Sequence, residues 1–343
     1  MKMKNIFGLL VVVLMATKTA AQDIHLSQFF ETPLLRNPAL AGIFTGNIRT
    51  QIVYRNQWNS IGYPYTTKTF SAEYKFSLPQ SNDYMTVGFQ GFHDVAGITR
   101  LTTIDLMPAI NFHKSLSTEK NLFLSAGFAV GIVQRRFDDK TLTFDNQYNN
   151  GRFDPSSPSG ENLTYFKATF ADFATGLSIN DALPNGGNFY LGAALYHFNK
   201  PAKNYQQQGF YLDPKIQGNA GLKTPLNDQI ELLLEGNYSR QGSYSETIAG
   251  GGVMYYLTDM SEATTNVKSL AFGGALFLRV NDAIIPVLKL NYNNIEVGLS
   301  YDVNISTLAP ASKSRGGYEL SLSYRGFTRS MNSSVNMMRC PRF

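Results

Sequence analysis

The chain has 343 residues, of which 16% are charged and 13% are aromatic. Soluble domains usually carry about 25% charged residues, so this composition disfavours an ordinary soluble domain. The formal net charge is +5, and removal of Lys2, Lys4 and Lys18 with a signal peptide would leave +2. The chain has no basic patch that would indicate a nucleic-acid partner. The single cysteine, Cys340, excludes an intramolecular disulfide framework and a thiolate metal cluster.

The first residues have the pattern of a secretory signal peptide. Lys2 and Lys4 precede an apolar run over residues 6–16, and small residues follow just before Gln22. No cysteine follows the apolar run, which argues against a lipoprotein, and no later stretch has the ~18 consecutive apolar residues of a membrane helix. We therefore predict an exported protein whose mature chain begins at Gln22.

Residues 22–46 contain several apolar side chains but do not alternate, and Pro33 and Pro38 interrupt them. Two interpretations are open. The segment either lines the periplasmic mouth of the structure that follows or plugs its interior.

From residue 47 almost to the C-terminus, apolar and polar side chains alternate. Near the end, Tyr318, Leu320, Leu322 and Tyr324 are interleaved with polar or charged residues. A period of two indicates strands with one apolar face. Because the opposite faces are small, polar or charged, the sequence predicts an all-β fold, a transmembrane outer-membrane β-barrel of about fourteen antiparallel strands. The predicted strands are residues 47–56, 66–76, 84–93, 100–113, 121–136, 164–179, 188–198, 215–223, 229–239, 244–257, 268–279, 283–291, 293–304 and 316–327.

The lengths of the connections predict the orientation of this barrel. Outer-membrane barrels have short periplasmic turns and longer outer loops, and the longest gap, residues 137–163, falls in an odd-numbered connection. We therefore predict that the first strand begins in the periplasm. The predicted segments are a signal peptide (1–21), an N-terminal plug or periplasmic segment (22–46), the barrel (47–327) and a periplasmic C-terminal tail (328–343). For the tail, a poorly ordered extension and a docking role are both open.

The alternation also assigns faces within a strand. In residues 229–239, we expect apolar side chains to face lipid and polar ones to face the lumen, where a charge is tolerated. Glu235→Arg should therefore be harmless. The expected lipid-facing residues are Ile230, Leu232, Leu234 and Tyr238, and the expected lumen-facing residues are Glu231, Glu235 and Asn237.

We expect neither a catalytic site nor a cofactor or metal site. His93 beside Asp94, and Asp138 beside Asp139, superficially resemble the acid and histidine pairs of outer-membrane proteases. Nothing in the sequence places these pairs across one cleft, and a reaction needs such mutual geometry. The four histidines show no metal-ligand spacing.

Aromatic residues gather in two predicted outer loops. One interpretation is an aromatic belt at the membrane interface, and the other is a surface that binds a partner, since tryptophan is enriched in both settings. The candidate partner-binding residues are Arg55, Trp58, Tyr63, Tyr65, Tyr205, Phe210 and Tyr211.

Seven stretches of the chain, taken in order, resemble the PorP/SprF family of outer-membrane proteins. They are QDIHLSQFFETPLLRNPALAG (22–42), YRNQW (54–58), PYTTKTFSAEY (64–74), QRRFDDKTLTFDNQ (134–147), FYLGAALYHFNKP (189–201) and DAIIPVLKLNYNNIEVGLSYD (282–302), with GGYELSLSY (316–324) after them. The resemblance implies a non-enzymatic component of the type IX secretion system of Bacteroidota, in the bacterial outer membrane. It further implies support for the export and surface anchoring of a large adhesin, which in members resembling SprF serves gliding motility.

Two classes of function therefore compete. The strand pattern alone favours an outer-membrane diffusion channel or a hydrophobic-substrate transporter, because most barrels conduct something. The family resemblance reverses that preference in favour of secretion. The partners then expected are the C-terminal domain of a secreted adhesin, other type IX secretion components and outer-membrane lipid.

Overall fold

The computed structural model describes residues 23–59, 62–117, 121–137, 142–149, 151–160, 167–203, 210–257 and 270–328. The predicted signal peptide, the pair Asp138 and Asp139, Tyr205, and the predicted tail beyond Thr328 lie outside these residues.

Fourteen long antiparallel strands in this part of the chain form one closed barrel. Each strand pairs with the next along the chain, and the last pairs with the first, from Ile48 opposite Gly326 to Gln57 opposite Gly317. The prediction of a fourteen-stranded all-β barrel is therefore confirmed. The strands are β1 (Ile48–Gln57), β2 (Tyr65–Ser77), β3 (Tyr84–Ala96), β4 (Leu101–Ser115), β5 (Phe123–Arg136), β6 (Lys167–Ala182), β7 (Asn188–Tyr196), β8 (Lys215–Pro225), β9 (Ile230–Gln241), β10 (Tyr244–Tyr256), β11 (Leu270–Arg279), β12 (Ala283–Tyr292), β13 (Ile295–Asn304) and β14 (Arg315–Gly326).

The period-two pattern places apolar side chains outside the barrel and polar ones inside. In β9, Leu234 and Tyr238 are each 44% exposed, whereas Glu235 and Asn237 are 7% and 8% exposed. The face prediction for these four residues is confirmed. The physical cause is that successive side chains of a strand point to opposite faces of the sheet.

The two ends of the barrel differ. At one end, here called the long-loop end, residues 137–166, 197–214 and 305–314 connect the strands. Short elements lie in these connections: a ribbon of Tyr148–Asn149 with Arg152–Phe153, a ribbon of Ala202–Lys203 with Phe210–Tyr211, and a helical turn, Ala309–Ser312. The other end, here called the turn end, holds the start of β1 and the end of β14. Its connections are mostly short, with residues 257–269 as the exception.

The remaining described helices are four short turns. Three lie before β1, namely Phe29–Glu31, Pro33–Arg36 and Pro38–Leu40, and one, Asp145–Gln147, lies in the β5–β6 connection. None of the helices in the described ranges has the length and apolar character needed to cross a membrane.

Candidate functional site

Residues 23–46 lie inside the barrel and are here called the luminal segment. Pro33 and Pro38 each stand at the start of a helical turn, where a missing backbone N–H costs nothing. Most of the segment is buried, and its polar side chains meet polar side chains that the strands direct inward. The division of the chain into the four predicted segments stays a prediction.

Asn37 fixes the middle of the luminal segment. Its Nδ2 donates hydrogen bonds to the carbonyl oxygens of Leu177 (3.1 Å) and Ala193 (3.2 Å) and to Asn219 Oδ1 (3.0 Å). Its Oδ1 accepts from the backbone N–H of Ala39 at 2.8 Å. One amide therefore caps the start of the turn Pro38–Leu40 and joins three strands. Only glycine fits at the inward position 176 beside it, because a Cβ there would overlap Asn37 Oδ1.

Charged groups hold the segment nearer the long-loop end. Glu319 accepts hydrogen bonds from the backbone N–H groups of Ser27 (2.5 Å) and Gln28 (2.7 Å) and pairs with Arg55. Asp302 accepts from Ser27 Oγ at 2.5 Å and forms ion pairs with Arg55 (3.0 Å) and Arg279 (3.2 Å). The five residues of this arginine–acid cluster are Ser27, Arg55, Arg279, Asp302 and Glu319, and all five are buried.

The first described residue, Asp23, is bound at the long-loop end. His197 Nε2 lies 2.6 Å from Asp23 Oδ2, and His197 Nδ1 lies 2.7 Å from Asp172 Oδ2. Burial opposes the charge on this imidazole, but the two carboxylates outweigh it and raise the pKa of His197 to about 9. Burial likewise opposes ionisation of Asp23, yet His197, Lys215 and Arg135 hold its pKa below the usual range. Asp23, His197 and Asp172 are here called the latch.

A second set of ion pairs holds the segment nearer the turn end. Glu31 pairs with Lys289 at 2.9 Å, and Lys289 also pairs with Glu296 at 2.8 Å. Arg36 pairs with Glu235 at 3.2 Å and donates to the Tyr190 hydroxyl at 2.8 Å. A cavity of about 100 Å³ remains beside these groups. The segment is thus fastened at several levels of the lumen, from the latch to the turn end.

Glu235 corrects an expectation from the sequence. Charge at this lumen position was expected to be tolerated, but the structure pairs Glu235 with Arg36 and Tyr190. The expectation that Glu235→Arg is harmless is therefore wrong for this lumen, because a second guanidinium would face Arg36.

The predicted partner-binding residues separate into different environments. Arg55 is only 2% exposed and belongs to the arginine–acid cluster, so a partner could reach it only if that cluster opened. Trp58 packs on Tyr65 with ring centroids 4.9 Å apart, while Tyr63 and Tyr211 are each 62% exposed. Phe210 lies on the same short strand as Tyr211. Tyr205 lies outside the described residues.

The barrel does not bring these aromatic residues into one patch. Trp58, Tyr63 and Tyr65 belong to the β1–β2 connection or its edge, and Tyr211 belongs to the β7–β8 connection. In a ring of fourteen strands these two connections lie on nearly opposite sides of the mouth. The binding role of these residues stays a prediction.

Sequence analysis did not find the polar contacts of the luminal segment. Asp23, Ser27 and Asn37 lie in a stretch without periodicity, and their partners are far away along the chain. A signal was nevertheless present in the strands, where charged residues such as Arg279 and Glu319 occupy inward positions of the alternation.

Two features of the described residues bear on metal binding and on the His93 and Asp94 pair. Within the described ranges, no three His, Cys, Asp or Glu side chains are arranged to hold a metal ion. Asp94 accepts a hydrogen bond from Thr67 Oγ1 at 2.6 Å.

A closed barrel with an apolar outer face and a polar interior defines a β-barrel of the bacterial outer membrane. The family model for the type IX secretion system membrane protein PorP/SprF matches residues 18–324. The chain therefore belongs to the PorP/SprF family of type IX secretion membrane proteins. No curated protein matches the chain.

Solved structures with a similar fold include outer-membrane channels. A Pseudomonas aeruginosa FadL homologue has a TM-score of 0.48 and 10% identity, covering 84% of this chain and 91% of that one. The CymD monoaromatic hydrocarbon channel has a TM-score of 0.47 and 10% identity, covering 88% and 94%. These values are too low for any function to be carried over.

Proposed function

We propose that this barrel is a non-enzymatic component of type IX secretion that supports the export and surface anchoring of a large adhesin, including adhesins for gliding. The observation that carries the proposal is the luminal segment. The luminal segment occupies the lumen, and ion pairs hold it at several levels. The surfaces left for binding other proteins are therefore the two ends of the barrel.

The filled lumen argues against the alternative, a diffusion channel or hydrophobic-substrate transporter. Such a protein needs a continuous path, whereas the cavities beside the luminal segment are about 100 Å³ and 50 Å³. Arg36 lines both of these cavities and is itself held by Glu235 and Tyr190. Opening a path would require these buried groups to separate.

The long-loop end is the surface that we assign to the adhesin. Tyr63 and Tyr211 are exposed on opposite sides of the mouth, and exposed aromatic side chains are typical anchors of protein interfaces. A cargo domain seated across the mouth would contact both. The turn end would then face the periplasm and the other components of the secretion system.

Orientation can be tested by proteolysis of intact cells. Since longer loops of such barrels are external, a protease should cut the β5–β6 connection and spare an epitope placed after Thr328. Cleavage of that epitope on unpermeabilised cells would overturn the orientation.

The adhesin assignment can be tested with a double variant, Tyr63→Ala with Tyr211→Ala. Truncation of an interface anchor typically lowers the binding free energy by ~2 kcal/mol or more. The amount of adhesin at the surface should therefore fall strongly while the barrel remains folded. The matched control is Tyr74→Ala with Tyr238→Ala, which removes two tyrosines from the outer wall, exposed by 42% and 44%. Normal adhesin display by the mouth variant would remove these residues from the proposed interface.

Deletion of the whole protein separates the two classes of function. Loss of surface adhesin with small-solute uptake intact would support secretion. Loss of uptake with adhesin display intact would favour the channel.

A further inference from the structure

In the described strands, the outer wall near the long-loop end carries cations but no carboxylates. The outward positions of the strands in this half include Lys68, Arg136, Lys167 and Arg240, all exposed. The acidic residues of the same half occupy inward positions in the described strands. They are Asp94, Asp105, Asp172, Glu246, Asp302 and Glu319.

Two of these cations lie directly opposite each other. Arg136, the last residue of β5, is in register with Lys167, the first residue of β6. Like charges in this position destabilise a sheet, because the opposed Cβ atoms are only about 4.5–5.5 Å apart. Within the described ranges neither side chain forms a salt bridge, and no described strand places a carboxylate on the outer wall beside them.

Arg136 and Lys167 lie where the apolar outer face of the barrel ends, on the side of the long-loop end. One step toward the turn end, Gln134 faces Thr169, and the next outward pair is Ile132 with Ala171. Ile132 is 61% exposed, as expected for a lipid-facing side chain. From the long-loop end toward the turn end, the outward cross-strand pairs of β5 and β6 are therefore first cationic, then hydrogen-bonding and then apolar.

We propose that Arg136 and Lys167 bind the phosphate of a phosphorylated glycolipid, the lipid A class, in the outer leaflet of the outer membrane. Its phosphate would sit between the two cations, its sugar would meet the amide and hydroxyl of Gln134 and Thr169, and its acyl chains would lie against Ile132. Charge-assisted hydrogen bonds to phosphate are strong, and basic clusters at a membrane surface select anionic headgroups. The bound phosphate also supplies negative charge that the described strands do not place on the outer wall here.

Arg240 provides a matched control within the same chain. It is also an outward cation near the long-loop end, but its cross-strand neighbours are Ile216 and Ser245. A lone cation cannot flank a phosphate from two sides.

The test is a titration of the purified full-length barrel in detergent with bisphosphorylated lipid A, read by native mass spectrometry. Arg136→Gln with Lys167→Gln should weaken binding by roughly 20- to 30-fold, since each cation contributes about fivefold near an anionic surface. Arg240→Gln should change binding by less than about twofold. Lipid A stripped of its phosphates should bind the unaltered protein as weakly as bisphosphorylated lipid A binds the double variant.

Three results would overturn the site: equal loss from Arg240→Gln, equal binding of dephosphorylated lipid A, or a preference for phosphatidylglycerol or inorganic phosphate at the same concentration. If the double variant folds poorly, as judged by heat-modifiable gel mobility, Arg136→Glu replaces it. That variant places opposite charges across the strands and should still lose the lipid. None of these outcomes depends on whether an adhesin is displayed.

Discussion

Both faces of the barrel wall carry arginine and lysine side chains, but the inner and outer cations have different surroundings. Inside, Arg55 and Arg279 lie against Asp302, and Lys289 lies between Glu31 and Glu296. Outside, Arg136 and Lys167 face each other, and neither has a carboxylate partner in the described part of the chain. Moving a charged residue by one position along a strand moves it to the other face of the wall. That one step therefore decides whether the charge binds the luminal segment or contacts the membrane.

The energetic consequences of the two faces differ as well. A buried pair that loses one member leaves an uncompensated charge in a low-dielectric site, which costs several kcal/mol. A cation at the water-exposed edge of the membrane is screened, so its pairing with another side chain contributes little to the free energy of unfolding. Substitutions on the two faces should therefore differ in size, and in one case in sign.

The largest effect is expected inside, for Glu319→Ala. This change removes the partner of Arg55 and the acceptor for two backbone N–H groups of the luminal segment. We expect the free energy of unfolding to fall by ~3–5 kcal/mol, measured as the urea midpoint of the folded barrel in lipid vesicles. Ser300→Ala is the control, because Ser300 is also buried but its hydroxyl has no hydrogen-bond partner among the described residues. Similar losses from both variants would mean that the cluster does not hold the segment.

A somewhat smaller effect is expected on the lipid-facing wall, for Leu234→Arg. Leu234 points outward in β9, and a cation near the membrane midplane costs ~2–4 kcal/mol. The amount of heat-modifiable folded barrel should fall. Asn291→Arg is the control, since Asn291 lines the cavity at the turn end, opposite Glu296. If Asn291→Arg were as damaging as Leu234→Arg, the assignment of the two faces would be wrong.

The latch should make stability depend on pH. The folded pKa of His197, about 9, lies above its ordinary value of 6.5, so the folded state binds this proton more tightly. Protonated His197 contributes at most about 3 kcal/mol to the free energy of unfolding. This contribution is complete below about pH 6.5, declines as the pH rises toward 9 and is absent above that. The urea midpoint of the unaltered protein should fall across this window, and that of His197→Gln should stay nearly level. Parallel curves for the two proteins would exclude His197 as the cause.

Much of the barrel could be predicted from the sequence, because a strand between lipid and a polar lumen must alternate. The fourteen strands lie close to their predicted positions for this reason. The contacts of the luminal segment could not be predicted, because they join residues far apart in the chain, such as Asn37 and Asn219, and leave no period. Arg55 illustrates the limit: its inward face was predictable, but its burial under Ser27 was not.

The smallest expected effect has the opposite sign and tests the outer face alone. Arg136→Glu would replace a like-charge pair with a Glu opposite Lys167 in the β5–β6 register. Opposed charges across antiparallel strands contribute roughly 0.2–1 kcal/mol relative to neutral pairs, so the barrel should become slightly more stable when lipid A is absent. The urea midpoint in vesicles of zwitterionic lipid measures this gain. Arg240→Glu, opposite Ile216 and Ser245, should give none. In vesicles that contain phosphorylated lipid A the gain should vanish or reverse, because the variant forms its own ion pair but loses the phosphate that stabilises the natural pair. A gain of equal size in both kinds of vesicle would mean that the lipid does not balance Arg136 and Lys167.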